Sequence, residues 1–299
     1  MAGGFGGLLA NSETVDRLLS EMDPADKKSL QSWYWFDWAN QAFALTVITV
    51  VVPTLLSNMF NLANGGSADY AGMTFTGDSF YAVVLGISSV FVAIVSPVLG
   101  AIADRMPIKK KVLKVYTVVG ILFTGLMGLA PYMDDNSSYK FLAVCLIMGN
   151  IGFAGGHAIY SAFLPYLGDK RLMDHISSWG YAYGFLGGCI LLTVHLAVGL
   201  RFGFENPDVQ CFVFVTSALW WLGFSVPMFR NTPEPEIPNP TEYPNVFEAV
   251  KDGLREIKST FSEIRRYKVL SLFMCGYLLF YDGVTVSYTH LRAHETTCD

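Results

Sequence analysis

The chain has 299 residues, of which 52% are hydrophobic and 15% charged, and its mean hydropathy is +0.39. This composition excludes an ordinary soluble domain, and the net charge of −5 says little about partners because most charges lie between the apolar blocks. The five cysteines have neither the spacing of a metal site nor that of a disulfide framework, so we expect no metal and no cofactor.

Residues 1–32 predict a cytoplasmic leader rather than a signal peptide. They carry three basic and five acidic residues, and no apolar region leads to a cleavage site of small residues. Apolar residues between Leu8 and Met22 favour a short surface helix, which Pro24 would end.

Six long apolar blocks follow, and they predict membrane-spanning helices, since about 20 apolar residues are needed to cross the bilayer. We place these spans 1 to 6 at residues 33–59, 80–103, 112–133, 141–167, 176–200 and 211–229. They form an amino-terminal bundle over residues 33–229, and a seventh span starts within residues 268–286. The predicted fold class is therefore an all-α polytopic membrane protein.

Basic residues predict the orientation of this bundle. Seventeen of the 20 lysines and arginines lie in the leader, in the segments after spans 2, 4 and 6, or in the first turn of the span that follows such a segment. Because basic residues concentrate on the cytoplasmic side, we expect a cytoplasmic amino terminus. The host membrane would be the plasma (inner) membrane or the vacuolar membrane.

Two aromatic-aromatic-aspartate triplets stand in apolar spans, Trp35-Phe36-Asp37 in the first and Phe280-Tyr281-Asp282 in the seventh. An aspartate inside hydrocarbon is costly and marks a functional position by default. The recurrence indicates two related halves, which is how many secondary transporters are built. Asn40 and Gln41 share the helical face of Asp37. The alternative for Asp37 is an interfacial residue that pairs with a neighbouring helix.

Polar and small residues also share one face in spans 4 and 5. They are Asn150, Ala154, His157 and Ser161 in span 4, and Tyr181, Gly184, Gly188 and His195 in span 5. The glycines favour close helix packing. The alternatives for His157 are a proton relay, since histidine titrates near neutrality, and a hydrogen-bonded structural imidazole. We expect Asn150, His157 and Tyr181 to line a cavity.

The loop after span 2 reads Gly-Ala-Ile-Ala-Asp-Arg-Met-Pro-Ile-Lys-Lys-Lys over residues 100–111. It resembles the signature loop of the major facilitator superfamily, in which a glycine allows close helix packing and an Asp-Arg pair forms a cytoplasmic gate. The resemblance implies a gate made of Gly100, Asp104, Arg105 and Lys109. Pro107 and Ile108 depart from the family pattern. The alternative is a basic turn that only sets the orientation.

Residues 230–267 predict a cytoplasmic linker followed by an amphipathic helix. Five prolines between residues 231 and 244 favour an extended connector. Asn245 is suited to cap the helix, and apolar residues from Phe247 to Ile264 then recur at spacings of three and four. Such a helix is typical of the membrane surface or of packing against the bundle. A calmodulin-type target is an alternative that its acidic residues disfavour.

Four motifs in the expected order resemble one branch of the same superfamily. The stretch Trp38–Phe43 after Asp37 is similar to the opening motif of the vacuole-effluxer-like (autophagy-related vacuolar amino-acid effluxer) branch, and Ala162–Pro165, Ser178–Gly188 and Tyr281–Val284 are similar to its later motifs. The resemblance covers residues 32–285. It implies a twelve-helix fold with alternating access between two halves, of which this chain would hold a six-helix half-bundle and a truncated seventh helix.

The sequence changes character after Val286. The stretch Ser287–Thr296 resembles translated sequencing-adapter read-through, so we expect residues 287–299 to be a non-native tail and the carboxy-terminal half of the transporter to be missing. His290, His294 and Cys298 would then form no metal site. The alternative is a genuine polar tail on a seven-helix protein.

These patterns predict a secondary active transporter that works by alternating access, and the family resemblance implies efflux or proton-coupled movement of amino acids or similar small solutes. Asp37 and Asp282 would serve proton coupling or the recognition of substrate. The expected partners are a small solute, a proton and the lipid bilayer, and no nucleic acid. The alternatives are a non-transporting scaffold or receptor, a non-functional fragment, and an intramembrane enzyme that uses His157 or His195. The sequence contains no His-Glu-x-x-His or Gly-x-Ser-x-Gly motif that would favour an enzyme.

Overall fold

The computed structural model describes residues 14–70, 72–237, 243, 246–263, 268–269, 271–277 and 279–280. Its first elements are α1 at residues 14–21, α2 at Pro24–Ala42, a π-helical segment at Phe43–Val51, α3 at Val52–Asn64, β1 at Ala68–Tyr70 and β2 at Met73–Phe75. The long helices follow: α4 at Gly77–Ala103, α5 at Lys109–Met127, α6 at Asp135–Ser161, α7 at Met173–Phe202, α8 at Pro207–Asn231 and α9 at Val246–Glu263.

Six helical stretches within the described residues are long and apolar enough to cross a membrane, which confirms the predicted all-α polytopic membrane fold. They are Pro24–Asn64, Gly77–Ala103, Lys109–Tyr132, Asp135–Tyr166, Lys170–Phe202 and Pro207–Asn231. They correspond in order to spans 1 to 6. The helix of span 1 starts at Pro24, nine residues before the apolar block, because the polar residues 24–32 continue the same helix.

Span 1 is irregular at the place where Pro53 predicts a kink. Pro53 has no N–H to donate to the preceding turn and its ring crowds that turn. The nine residues before α3 are π-helical, and the N–H of Val52 donates to the carbonyl of Val47, five residues back. The irregularity therefore takes the form of a widened helix that absorbs the proline.

Glycines bring α5 and α6 into close contact. A methyl group added at Gly152 would collide with the backbone of Gly120, and one added at Gly155 would collide with the ring of Tyr116. Gly120 in turn leaves room for Trp221 of α8, which is 1% exposed. The prediction of close packing through glycine is confirmed for this pair of spans.

The connection between spans 1 and 2 contains a two-stranded antiparallel hairpin that the sequence analysis did not predict. Gly65 ends α3 with a φ of 64°, in the left-handed region that glycine adopts without strain. Ala68 then pairs with Phe75 and Tyr70 with Met73. The hydroxyls of Tyr70 and Tyr139 lie 3.0 Å apart, which ties the hairpin to the start of α6.

The chain divides into two compact units, residues 1–96 with 103–242 and residues 97–102 with 243–299. The first unit holds nearly all of the six spans and a core around Phe43, Phe60 and Trp221. In the second unit, α9 packs on residues 97–102, the last turns of α4. This helix lies in the region after the proline-rich linker. Asn245, Ile264, Asp282 and residues 287–299 lie outside the described residues.

Candidate transport site

The carboxylate of Asp37 lies at the interface between α2 and α7. The residue is 3% exposed, and its Oδ1 has no hydrogen-bond partner among the residues that the structure describes. A methyl group added at Gly184 would lie 2.6 Å from Asp37 Oδ2, so the carboxylate packs directly against the glycine backbone of α7. An acidic group is thus held inside a membrane-spanning bundle, where ionisation is costly.

A glycine stripe on α7 makes room for the side chains of α2. A methyl group added at Gly180 would lie 2.6 Å from the ring of Trp33, and one added at Gly187 would lie 2.6 Å from the ring of Trp38. A methyl group added at Gly188 would lie 3.0 Å from the backbone carbonyl oxygen of Gln41. Small residues at spacings of three and four let two helices approach closely in lipid. The prediction of close packing in span 5 is therefore confirmed.

Asn40 and Gln41 occupy different environments although both belong to the predicted polar face. Asn40 is 2% exposed, and its Nδ2 has no hydrogen-bond partner in the described part of the chain. Gln41 is half-buried, and its Cγ lies 2.9 Å from the position of a methyl group at Gly184. The structure therefore brings Asp37 and Gln41 together at one glycine, with a buried amide beside them on the same helix.

A reciprocal pair of tryptophan and tyrosine fixes α2 to α6. The rings of Trp33 and Tyr160 stack with centroids 4.4 Å apart, and the ring of Phe36 also stacks on Tyr160, at 5.2 Å. Trp33 Nε1 donates to the Tyr160 carbonyl at 3.3 Å, and the Tyr160 hydroxyl donates to the Trp33 carbonyl at 3.3 Å. Sequence analysis missed this pair, whose only signal is the density of aromatic residues around Asp37.

The three residues predicted to line the cavity from spans 4 and 5 do not form one cluster. Asn150 is 6% exposed and its Nδ2 donates to Ser88 Oγ of α4 at 2.7 Å, so it links two helices. His157 is half-buried, with its ring 5.6 Å from that of Tyr160, and its Nδ1 has no partner among the described residues. Tyr181 is 58% exposed. His157 is the member that lies nearest the aromatic surroundings of Asp37.

His195 is tied to a neighbouring helix beside a cavity of about 370 Å³. Its Nε2 lies 2.8 Å from Thr216 Oγ1, and that hydroxyl donates to the Phe212 carbonyl at 2.6 Å. Because the Thr216 hydroxyl donates its proton to that carbonyl, it accepts in the contact with His195. The hydrogen of this contact is therefore on Nε2. This geometry favours a structural role for His195 over the chemical role that an intramembrane enzyme would give it.

The predicted gate loop contains a buried ammonium group. Lys109 Nζ lies 2.7 Å from Asp104 Oδ1, and the side chains are 2% and 65% exposed, respectively. The ammonium group also lies 4.8 Å from the centre of the Tyr166 ring and 3.4 Å from its hydroxyl. Asp104 therefore pairs with the lysine five residues on, and Tyr166 from the end of span 4 completes the contact.

The other two predicted gate residues are Arg105 and Gly100. Arg105 is half-buried. A methyl group added at Gly100 would meet no atom of the described residues within 4 Å, so the close packing that the family resemblance implies at this glycine is not seen there.

A clamp holds the start of the linker, and sequence analysis did not predict it. Lys110 N–H donates to Glu234 Oε2 at 2.9 Å, and Lys110 Nζ donates to the Thr232 carbonyl at 2.6 Å. Asn231 Nδ2 donates to Ser32 Oγ of α2 at 2.9 Å. The first turn of α5 and the middle of α2 thus hold the chain as it leaves α8. A carboxylate is favoured at this place, because the amino terminus of a helix attracts negative charge.

Comparison with known proteins adds a family and two kinds of relative. The profile of the family described as "Vacuole effluxer Atg22 like" matches residues 25–297. The chain is similar to an uncharacterised MFS-type transporter, YxiO, of Bacillus subtilis, with 28% identity over 273 residues. It is also similar to autophagy-related protein 22 of Kluyveromyces lactis, with 21% identity over 296 residues, and to that of Vanderwaltozyma polyspora, with 18% identity over 310 residues.

These matches cover most of this chain and a smaller share of the relatives. The alignment with the Bacillus protein covers 86% of the chain and 58% of the relative, and that with the Kluyveromyces protein covers 87% and 59%. For the Vanderwaltozyma protein the values are 87% and 58%. The chain therefore spans somewhat more than half the length of the curated relatives it matches. No solved structure gives a significant match.

Proposed function

The chain belongs to the vacuole effluxer Atg22-like family, and from this membership we propose that it is a secondary active transporter of amino acids or similar small solutes. The observation that carries the proposal is the carboxylate of Asp37, which is 3% exposed inside a membrane-spanning helix. The description of the Bacillus relative as an MFS-type transporter supports the same activity.

Asp37 would act as the proton or cation acceptor of the transport cycle. Its Oδ1 has no hydrogen-bond partner among the described residues, so it is available to a proton or to the ammonium group of an amino acid. Asn40 and Gln41 would add amide groups that orient the solute, and Tyr181 and His157 would line the path. A bound proton or solute moves the equilibrium between two conformations only through different affinities for them. The cost of ionising Asp37 must therefore differ between the two states.

The ion pair of Asp104 and Lys109 would stabilise the closed cytoplasmic end of the path. Lys109 is 2% exposed although it is charged, and a buried ammonium group is tolerated only when it is paired. Opening this end exposes the lysine to water and removes the need for its partner. The pair would therefore favour the conformation in which this end is closed, with Arg105 as a further contributor.

The proposal includes a second six-helix bundle related to the first, with Asp282 at the place equivalent to Asp37. The greater length of the relatives and the repeated triplet support it, since transporters of this kind bind solutes between repeats. The proposal also places the amino terminus in the cytoplasm, with the plasma (inner) or vacuolar membrane as host. The distribution of basic residues supports that orientation.

Transport by the longest open reading frame that contains this chain tests the proposal. The protein is reconstituted into vesicles, and the flux of labelled amino acids is measured with and without an imposed pH gradient. We expect the gradient to accelerate flux in the wild type and to have no effect in Asp37→Asn. Asp135→Asn removes the same type of side chain from an exposed position in the first turn of α6, and it should behave as the wild type.

The possible results of this flux experiment distinguish a transporter from the alternative functions. If the wild type moves no amino acid, the substrate class is wrong, and the scaffold or receptor alternative gains support. Chemical conversion of an amino acid without net flux would favour an enzyme. If Asp37→Asn keeps the wild-type rate and the wild-type response to pH, Asp37 is structural. The transporter proposal would then rest on family membership alone.

A further inference from the structure

The helix α9 is held against the end of a membrane span by two small residues. Ala249 is 5% exposed, and Gly253 is buried one turn later on the same face. A methyl group added at Gly253 would lie 3.2 Å from the Val98 carbonyl and 3.4 Å from Ile102 Cγ1. These two residues belong to the last turns of α4, which ends at Ala103. Because α4 is long and apolar enough to cross a membrane, we infer that α9 lies near the level where the hydrocarbon of the bilayer gives way to the headgroups.

A shallow depression of about 330 Å³ runs along another side of α9. It is lined by Val250, Lys251, Leu254, Arg255 and Lys258. Leu254 is 52% exposed, and the three basic side chains are exposed as well. This surface thus combines apolar and basic groups on a single helix.

Basic and acidic side chains occupy different arcs around the axis of α9. At about 100° per residue, the three basic residues fall within an arc of roughly 60° that borders the side of Leu254 and Val250. The acidic residues Glu248 and Asp252 lie beyond the basic arc, away from the apolar side. The Tyr243 hydroxyl donates to Asp252 Oδ2 at 2.8 Å.

We propose that the basic edge of α9, made of Lys251, Arg255 and Lys258, binds the anionic headgroups of the phospholipids that surround span 2. An apolar side bordered by basic residues is the pattern of helices that lie in the membrane interface. The basic side chains reach phosphate oxygens while their methylene stems cover apolar surface, and the guanidinium of Arg255 is suited to a bidentate contact. Anionic lipid attracts such residues over a short range.

The exposure of Leu254 favours a bilayer over a soluble anion as the partner of this surface of α9. A free phosphate would engage the basic residues and leave Leu254 and Val250 in water. A bilayer engages both groups at once, because its acyl chains cover the apolar side chains while its headgroups meet the basic ones. This inference requires only that the chain resides in a membrane, so it is independent of the proposed transport activity.

Hydrogen–deuterium exchange in lipid nanodiscs tests the inference. The chain is placed in nanodiscs of phosphatidylcholine alone, and in nanodiscs in which one lipid in three is phosphatidylglycerol. We expect the amides of residues 246–263 to exchange more slowly in the anionic nanodiscs, and the difference to shrink as salt is added, because salt screens the attraction. Each lysine near an anionic surface is worth about a fivefold change in binding. The double variant Lys251→Gln/Lys258→Gln should therefore lose most of the difference.

A matched variant controls for the loss of two charges. Lys28→Gln/Lys170→Gln removes two exposed lysines elsewhere in the chain and should keep the wild-type dependence on anionic lipid. Equal exchange of α9 in both kinds of nanodisc would overturn the inference, and so would an equal loss in the two double variants. Slow exchange in neutral nanodiscs after addition of inorganic phosphate would also overturn it, in favour of a soluble anion. The lipid and salt dependence of the wild type stands even if a variant fails to fold.

Discussion

At the scale of single residues, Gly184 determines how the carboxylate of Asp37 is held. The two residues come from helices that the sequence separates by more than a hundred residues, yet no side chain stands between Asp37 Oδ2 and the backbone of α7. Any larger residue would have to move the carboxylate, and Gln41 next to it. The environment of Asp37 thus depends on the lack of a side chain at Gly184 as much as on the residues around it.

Replacing Gly184 by alanine should therefore disturb both stability and transport. The added methyl group would lie 2.6 Å from Asp37 Oδ2 and 2.9 Å from Gln41 Cγ. Such overpacking typically costs about 1–3 kcal/mol. We expect a lower melting temperature of the purified protein and a larger fractional loss of flux. Gly223→Ala is the control, because a methyl group on that helical glycine would meet no described atom within 4 Å. Equal behaviour of the two variants would contradict the packing argument.

The residues of the site differ in how far sequence could predict them. Asp37 stands out because an acidic side chain in an apolar span has few explanations. The stacking of Trp33 on Tyr160 joins residues 127 positions apart, and no local pattern specifies which aromatic residue a tryptophan will meet. Asn150 was predicted as a polar residue of the cavity, and its partner Ser88 became visible only in the structure.

At the scale of elements, the turn between α4 and α5 shows how a charged residue can be buried at the end of a bundle. Lys109 is the first residue of α5, and α5 places its ammonium group between Asp104 and the Tyr166 ring. The carboxylate partner is 65% exposed, so water screens part of the attraction. The pair therefore matters more for the position of the lysine than for the total stability.

Removing the partner of this buried lysine should be worse than removing both residues. Asp104→Asn leaves the Lys109 ammonium group buried beside Tyr166 with no carboxylate. Breaking a fully buried pair costs about 3–5 kcal/mol, and the exposure of Asp104 reduces our expectation to about 1 kcal/mol. Asp104→Asn/Lys109→Met should recover much of this loss, because no charge is left buried. Thermal unfolding measures the difference, with the exposed Lys111→Met as the control. Strictly additive effects would contradict a direct pair.

The clamp on the linker gives a second prediction at this scale. Glu234 accepts a hydrogen bond from the Lys110 N–H at the first turn of α5, where a negative charge is favoured. Glu234→Gln should weaken the clamp and speed the cleavage of residues 232–237 by proteinase K. Glu236→Gln is the matched control, since Glu236 is exposed two residues further along the same segment. If both variants are cleaved at the wild-type rate, the hydrogen bond does not hold the linker.

Helices could be predicted from the sequence where the length or spacing of an apolar pattern specifies them. The six spans and α9 follow from apolar length and from spacings of three and four. The hairpin at Ala68–Phe75 was missed because two strands of three residues carry no usable alternation, and Gly72 marks only a turn. The π-helical segment before Pro53 was predicted only as a kink, since a proline removes a hydrogen bond without specifying how the helix responds.

At the scale of the whole molecule, the six spans alternate in direction and fix which connections share a side of the membrane. The connections after spans 1, 3 and 5 lie on one side, and those after spans 2, 4 and 6 lie on the other. The second group includes the ion pair of Asp104 and Lys109 and the clamped start of the linker. The proposed gate and the linker therefore belong to the same side, whichever side that is.

Cysteine labelling should show that this side is the cytoplasm. The basic residues concentrate in the connections after spans 2, 4 and 6, and positive charge is retained inside. In a variant without native cysteines, single cysteines at Gly65 and Asp135 should react with an impermeant maleimide added to intact cells. Cysteines at Lys110, Lys170 and Glu248 should react only after the membrane is permeabilised, which also shows that these positions are accessible. Labelling of position 110 in sealed cells would reverse the orientation. The proposed cytoplasmic gate would then lie on the outer face, and the direction of transport would have to be argued anew.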